Sequence, residues 1–319
     1  MAGIDCGDPR EWDNFEQLYE AFLKQLNFIV ETKVKVSNYI DRMFAKNAPA
    51  PFLSVVIDDC IAKGRDYYNG GPRYNTNYIQ CTGLGTVTDS LMALRKHVLE
   101  GNKYSWTEML DALAYNFQGD EKMRQFILNR TPFFGNDDEE ADVLAVRVYD
   151  DLFKAIDGRP NTKGESFHLN MLSTTCHIYF GLVLGASANG RQAQKSISDG
   201  TSPSHGADTN GPTAVIRSLG KLDQSKSGGT LLNLRFLPSL LKRDEDIKKL
   251  GQLIRSYFSI GGHHVQFNVV DTATLYAAQK HPEEYKDLLV RMAGYSDYFN
   301  DMNIDLQQEI IDRTENESL

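Results

Sequence analysis

Near its C-terminal end this chain of 319 residues reads Arg291-Met292-Ala293-Gly294-Tyr295-Ser296-Asp297-Tyr298-Phe299. The flanking segments 282–290 and 304–314 look helical. A glycine between two helices ordinarily marks a tight turn, because it enters positive φ without a steric penalty. The surroundings of Gly294 carry more than a turn requires. Arg291 lies three residues before it, the small Ala293 directly before and the aromatic Tyr295 directly after.

Working back from this stretch, His264–Val270 alternates in the manner of a strand, and 243–258 has helical periodicity. A Gly/Ser-rich run from Gly185 to Gly229 has the polarity of a linker. As a flexible linker it would contain little apolar surface and make no long-range contacts. Residues 167–180 fit either a buried strand or the start of a helix. Residues 137–155 read as a helix, and Ser105 with Glu108 forms a capping box for a helix over 106–117. Thr86 or Thr88 starts a helix over 88–99, behind Gly83-Leu84-Gly85 and a strand over Tyr74–Gln80. Further back stand a glycine-rich loop at Asn69–Pro72, a helix over 52–63 and a long helix over 13–46. The long helix gathers Phe15, Leu18, Tyr19, Phe22 and Leu26 on one face. Asn14 and Gln17 cap its start, and Ala48-Pro49-Ala50-Pro51 ends it. No internal repeat is evident. Strands alternating with helices predict an α/β architecture.

Composition bounds the function. Apolar residues make up 41% of the chain, which supports a sizeable core, and the net charge is −9 without a basic block. That balance argues against nucleic acid or an anionic membrane as partner. No apolar run is long enough to span a bilayer, and the N-terminal residues do not read as a signal peptide, so a cytoplasmic protein is expected. Cys6, Cys60, Cys81 and Cys176 are widely spaced and form neither a C-x-x-C pair nor an iron–sulfur run. Reduced thiols are expected. Cys81 and Cys176 read as core residues.

Several blocks, in order, resemble the glycyl radical enzymes, the family of pyruvate formate-lyase and its dehydratase relatives. They are Tyr74–Ser90, Gly190-Arg191 followed by Ser198–Pro203, Gly211–Ala214, Gly261–Val269 and the Gly294 loop. The wording is most similar to the trans-4-hydroxy-L-proline dehydratases, with glycerol and propanediol dehydratases and choline lyase as further relatives. The resemblance implies an anaerobic lyase or dehydratase. Its fold would be the C-terminal half of a ten-stranded α/β barrel with surrounding helices. Residues 1–185 would form the barrel part and residues 186–319 the glycine radical domain. Gly294 would store an unpaired electron after loss of a Cα hydrogen. Arg291, Ala293 and Tyr295 would position the loop, and Thr174 would line the substrate cavity. A side chain at Gly294 is expected to clash with neighbouring backbone. No cofactor is expected to be bound; a separate S-adenosylmethionine and iron–sulfur activating enzyme (a radical SAM partner) would install the radical. A thiyl cysteine would then abstract hydrogen from a small hydroxylated substrate, with a nearby Glu as acid or base.

The thiyl cysteine of the family sits in a Gly-Cys-x-Glu motif, and none of the four cysteines here has Glu two residues on. The expectation is therefore a radical-bearing portion that works with a complementary N-terminal half carrying the Cys-x-Glu motif. Alone it should be poorly soluble or an oligomer. A spare-part radical protein, a pyruvate formate-lyase-type acyl transferase and an inactive fragment are the alternatives. Other features read as structural. His263 and His264 would point to opposite faces of a strand, and nothing in the spacing of His168 and His177 supports metal ligation. Asp137–Glu140 reads as an acidic helix start, and Asn69–Pro72 lacks the Lys-Ser/Thr of a P-loop.

Overall fold

The computed structural model describes residues 3–316. The long N-terminal helix α1 (Phe15–Asn47) opens on the reciprocal Asn14–Gln17 capping box expected of it. Where one helix is expected over 52–63 there are two short ones, α2 (Pro51–Val56) and α3 (Cys60–Lys63), interrupted at Asp59, whose φ is +75°. Strand β1 (Asn77–Gln80) follows, then α4 (Leu84–Leu94), which runs on as one π-helical stretch to Glu100. Next come α5 (Trp106–Ala114), with its Ser105–Glu108 box in place, α6 (Glu121–Arg130) and α7 (Glu139–Ile156). The acidic run before α7 is a helix start: Asp138 caps it, and Lys221 reaches Asp137, Glu139 and Asp142.

Both expectations for 167–180 hold in part. Strand β3 (Ser166–Asn170) pairs in parallel with β1, and short β2 (Arg159–Pro160) runs antiparallel to its start. Helix α8 (Cys176–Val183) then begins after a sharp loop. The Gly/Ser-rich run is not a flexible linker. Ser198, Asp199, Thr201 and Ser202 are buried. Thr201 donates both its N–H, at 3.0 Å, and its hydroxyl, at 2.9 Å, to the carbonyl of Leu231. The run also contains α9 (Pro212–Gly220), whose Val215, Ile216 and Leu219 join the core. Its polarity is satisfied internally, so it does not signal exposure.

Strand β4 (Leu232–Phe236) lies parallel to β5 (Val265–Val269) through α10 (Asp244–Ser259), with Leu232 opposite Val265. A single parallel bridge, Met171 to Thr230, joins the end of β3 to the approach of β4. Strands β1, β3, β4 and β5 thus follow one another in parallel, covered by α1, α4, α7 and α9, with Phe167, Leu169, Leu232 and Leu234 in the main core. Among the described residues the sheets are of three, three and two strands, so a ten-stranded barrel is not seen in this chain.

Helix α11 (Thr272–Lys280) leads to the greatest departure from the sequence expectation. No helix spans 282–290. A 3-10 turn at Pro282–Glu284 gives way to β6 (Leu289–Arg291), which pairs antiparallel with β7 (Ser296–Tyr298). The reason is a period of two: Val290 and Met292 are buried while Leu289 is exposed. Helix α12 (Ile304–Asp312) and β8 (Glu315–Asn316), parallel to the end of β4, complete the described chain. Val290, Met292, Phe299, Ile310 and Ile311 form a second, smaller core with α11.

Candidate functional site

Gly294 sits at the tip of the β6–β7 hairpin rather than between helices. The tip is closed by the Met292 N–H donating to the Tyr295 carbonyl at 2.9 Å. Gly294 has φ +88°, a conformation costly for any residue with a Cβ. The expected clash is absent: a Cβ built there meets nothing within 4 Å. Backbone conformation, not crowding, is what requires glycine at this position.

Two primary amides from β5 hold the hairpin. Gln266 and Asn268 are two residues apart, so both side chains leave the same face of the strand. Asn268 donates to the Arg291 carbonyl at 2.8 Å and accepts the Arg291 N–H at 2.7 Å. Gln266 donates to the Met292 carbonyl and accepts the Gly294 N–H at 3.1 Å. Each amide imitates a neighbouring strand, so the loop is bound by its backbone and not by its side chains. Of the three residues expected to position the loop, Arg291 does so chiefly through its main chain; its guanidinium reaches only Ser296, at 3.3 Å. Ala293 is buried, while Tyr295 contributes its carbonyl and leaves its ring half exposed. Met292 is an anchor in the second core at 2% exposure.

The amide Gln266 continues inward. It also donates to Asn233 Oδ1 on β4, and Asn233 donates to Asp199 Oδ2 in the loop before α9. Asp199 faces Arg313 at 3.9 Å, and Arg313 makes a two-point pair with Glu309 of α12, 2.9 Å at each contact. His177 and His205 each approach Glu309 Oε1 at 3.2 Å. His177 therefore belongs to a buried charged cluster that its sequence spacing did not reveal. Burial opposes the charge of Glu309, yet Arg313 and the two imidazoles hold its carboxyl well below the usual range. Burial likewise opposes protonation of His205, but Glu309 and Asp199 carry it above its ordinary value. Potential ligand atoms of His177, Asp199 and Glu309 lie within 4.8 Å of one another. Arg313 already supplies the counter-charge to both carboxylates, so the arrangement is an ion-paired cluster.

Thr174 lies in neither a strand nor a helix. It occupies the loop after β3 with φ +50°, its hydroxyl donating to the Ser173 carbonyl at 2.7 Å. Cys81 follows β1 directly, and burial pushes its thiol up to about 12, which suits a core thiol. Cys176 begins α8. A cleft of about 910 Å³ lined by Arg124, Asn136, Arg191, Ser198 and His205, among others, receives no residue from the hairpin.

Residues 1–181 match the family model described as Pyruvate formate lyase-like, and residues 197–300 match the one described as Glycine radical. The chain belongs to the pyruvate formate lyase-like family of glycyl radical enzymes. It is 48% identical over 315 residues to the trans-4-hydroxy-L-proline dehydratase of Clostridioides difficile, covering 99% of this chain and 40% of that protein. The crystal structure of that dehydratase with trans-4-hydroxy-L-proline bound superposes with a TM-score of 0.96. The B12-independent glycerol dehydratase of Clostridium butyricum, in its glycerol-bound form, gives 0.95 at 39% identity, covering 99% of this chain and 40% of that one. An isethionate sulfite-lyase of Oleidesulfovibrio alaskensis is 36% identical over 329 residues, 99% of this chain and 39% of that protein. The chain thus spans about 40% of the length of these glycyl radical relatives. Among the described residues no helix is long and apolar enough to cross a membrane.

Proposed function

We propose that this chain is the radical-bearing portion of a glycyl radical lyase, storing an unpaired electron on Gly294. The observation that carries the reading is the Gly294 hairpin: positive φ, open space where a Cβ would stand and a backbone held by paired amides, within the segment that matches the glycine radical model. A Cα radical is stabilised by delocalisation between amide nitrogen and carbonyl, which needs a planar carbon without a side chain and a fixed peptide geometry. The hydrogen leaves Cα as an atom, taken by a separate activating enzyme that uses S-adenosylmethionine. The stored radical then recovers a hydrogen atom from a cysteine, and the resulting thiyl takes one from substrate.

That cysteine belongs to a Gly-Cys-x-Glu segment, in the same polypeptide or another, since the motif does not occur in these 319 residues. Exposed apolar side chains support such a complement, Phe52 at 79%, Ile61 at 72% and Val183 at 81% on α2, α3 and α8, as does β1, which lies at the edge of its sheet among the described residues. We take residues 1–185 as the barrel part and residues 186–319 as the radical part. The reaction proposed is C–O cleavage in a small hydroxylated substrate such as trans-4-hydroxy-L-proline, supported by the 48% identity to the dehydratase. Thr174 is proposed to line its cavity.

The test is anaerobic EPR of the chain mixed with the Cys-x-Glu segment, an activating enzyme and S-adenosylmethionine. A doublet from the one remaining α-hydrogen, absent in Gly294→Ala, is the expected result. Silence of the wild-type chain with an activating enzyme proven on another substrate would sink the reading. Turnover of hydroxyproline, diols and choline by the activated mixture then decides the substrate class.

A further inference from the structure

The network behind Gly294 has a fixed polarity. A primary amide has two chemically different ends, and either end can face a neighbour unless something decides between them. Here the decision comes from a carboxylate. Asp199 is 2% exposed and faces the Arg313 guanidinium at 3.9 Å, and a carboxylate beside a cation offers its neighbours acceptors. Asn233 must turn its NH₂ toward Asp199, which leaves Asn233 Oδ1 facing Gln266. Gln266 must then turn its NH₂ toward Asn233, and the same NH₂ meets the Met292 carbonyl. Only Oε1 remains for the Gly294 N–H. Reversing Gln266 would set its NH₂ against the Gly294 N–H and its oxygen against two other oxygens. Gln266 is 5% exposed, so water offers no escape from that mismatch.

We propose that Gln266 is the positioning residue for the Gly294 peptide, and that Asp199, through Asn233, aims its acceptor oxygen. This rests on the reading of Gly294 as the radical site, and it extends that reading to residues 28 and 95 positions away in the sequence. An acceptor on the Gly294 N–H fixes the plane of the amide nitrogen that donates into the radical centre. It also keeps the peptide in the same orientation before and after hydrogen loss.

The experiment has two readouts on the full chain. The first is hydrogen exchange of the Gly294 amide, followed by NMR on glycine-¹⁵N-labelled protein and assigned with Gly294→Ala. Gln266→Met keeps length and removes both polar ends; Asp199→Asn keeps shape and removes the element that dictates orientation. Exchange at Gly294 is expected to quicken at least tenfold in Gln266→Met and at least threefold in Asp199→Asn, with the amides of β4 unchanged. Unchanged Gly294 exchange in the folded Asp199→Asn protein would overturn the aiming role, whatever Gln266→Met does. The second readout is the EPR doublet after activation in the presence of the Cys-x-Glu segment. Both variants are expected to show an altered hyperfine splitting or line width and a radical yield lowered severalfold. Identical line shape and yield would overturn the link to the radical. Absence of a doublet in the wild-type chain would instead sink the radical reading, and the exchange result would still decide the positioning.

Discussion

Strand β5 has two neighbours, held by different means. On one side β4 joins it through a parallel backbone ladder over five residue pairs. On the other the β6–β7 hairpin joins it through two side-chain amides, Gln266 and Asn268, with no strand pairing between β5 and β6. The first contact is backed by the main core, including Phe236 and Leu234; the second by the smaller cluster around Val290 and Met292. A ladder sealed by a large core opens only with the whole structure. A contact made by two side chains over a small core is able to open locally, at a lower free energy. Hydrogen exchange should therefore separate the two sides of β5: peptides of β4 and β5 at the global limit, and residues 289–298 well before it.

The largest effect is expected on the ladder side. Phe236 is fully buried in the main core, and Phe236→Ala should cost about 3–5 kcal/mol. Denaturant unfolding should report that loss, and exchange should quicken in β4, β5 and the hairpin together. If only the hairpin responded, the main core would not be the cooperative unit.

A second test uses pH. Asp89 on α4 accepts from the Phe134 N–H at 2.9 Å and the Ser204 hydroxyl at 2.6 Å, and burial pushes its carboxyl up to about 7. Its folded value lies above its unfolded one, so the native state favours the protonated acid. The associated stability is complete below about pH 4 and is lost as pH rises toward 7. Asp89→Asn should remove roughly 4 kcal/mol of that decline between pH 4 and 8. Thermal melts across that range check it, and the effect should appear on the ladder side of β5. A decline of equal size in the variant would mean that other groups cause it.

From the hairpin side, Asn268→Ala removes two hydrogen bonds to Arg291 and should lower the local opening energy by about 2 kcal/mol. Exchange of residues 289–298 should accelerate roughly 30-fold, with β4 and the global midpoint almost unchanged. A global loss of the same size would show that the hairpin and the sheet open as one. The smallest stability effect belongs to Gly294→Ala. With open space at the Cβ and only the positive φ against it, the cost should be about 1 kcal/mol. The same variant should abolish the EPR doublet entirely. A structural cost of several kcal/mol would instead mean that crowding matters at the tip.

The capped helices and the strands β1 and β5 were legible in the sequence, whereas α6, α9, α11, β4 and the β6–β7 pair were not. Caps such as Asn14–Gln17 and Ser105–Glu108 are local, and both formed as expected. Strand β4 does alternate, Leu232-Asn233-Leu234-Arg235-Phe236, but lies at the end of the polar run, and its Arg235 is buried with the two Nη atoms donating to Thr272 and to the carbonyls of Ile311 and Arg313. The helix expected over 282–290 yields to β6 at its end because Leu288, Leu289 and Val290 fit either period until one knows which are buried. Gly294 was legible only through family resemblance. Its holders were not, since Asn268 and Gln266 lie 23 and 28 residues before their backbone partners. A signal for them did exist: two amides spaced by two in an otherwise apolar strand, Val265-Gln266-Phe267-Asn268-Val269, must find partners once buried. His177 and Glu309, far apart in the chain, carried no such hint.

The amide clamp also sets rules for recombination between relatives. The hairpin looks like a self-contained cassette of about ten residues, easily exchanged at a junction near Lys280. Its backbone, however, is gripped by side chains from upstream of that junction, and those side chains are aimed by Asp199 further upstream still. A transplanted hairpin keeps its bearing only in a host that supplies amides at both β5 positions and a carboxylate behind them. A crossover placed ahead of Asp199 carries the grip and the glycine across together.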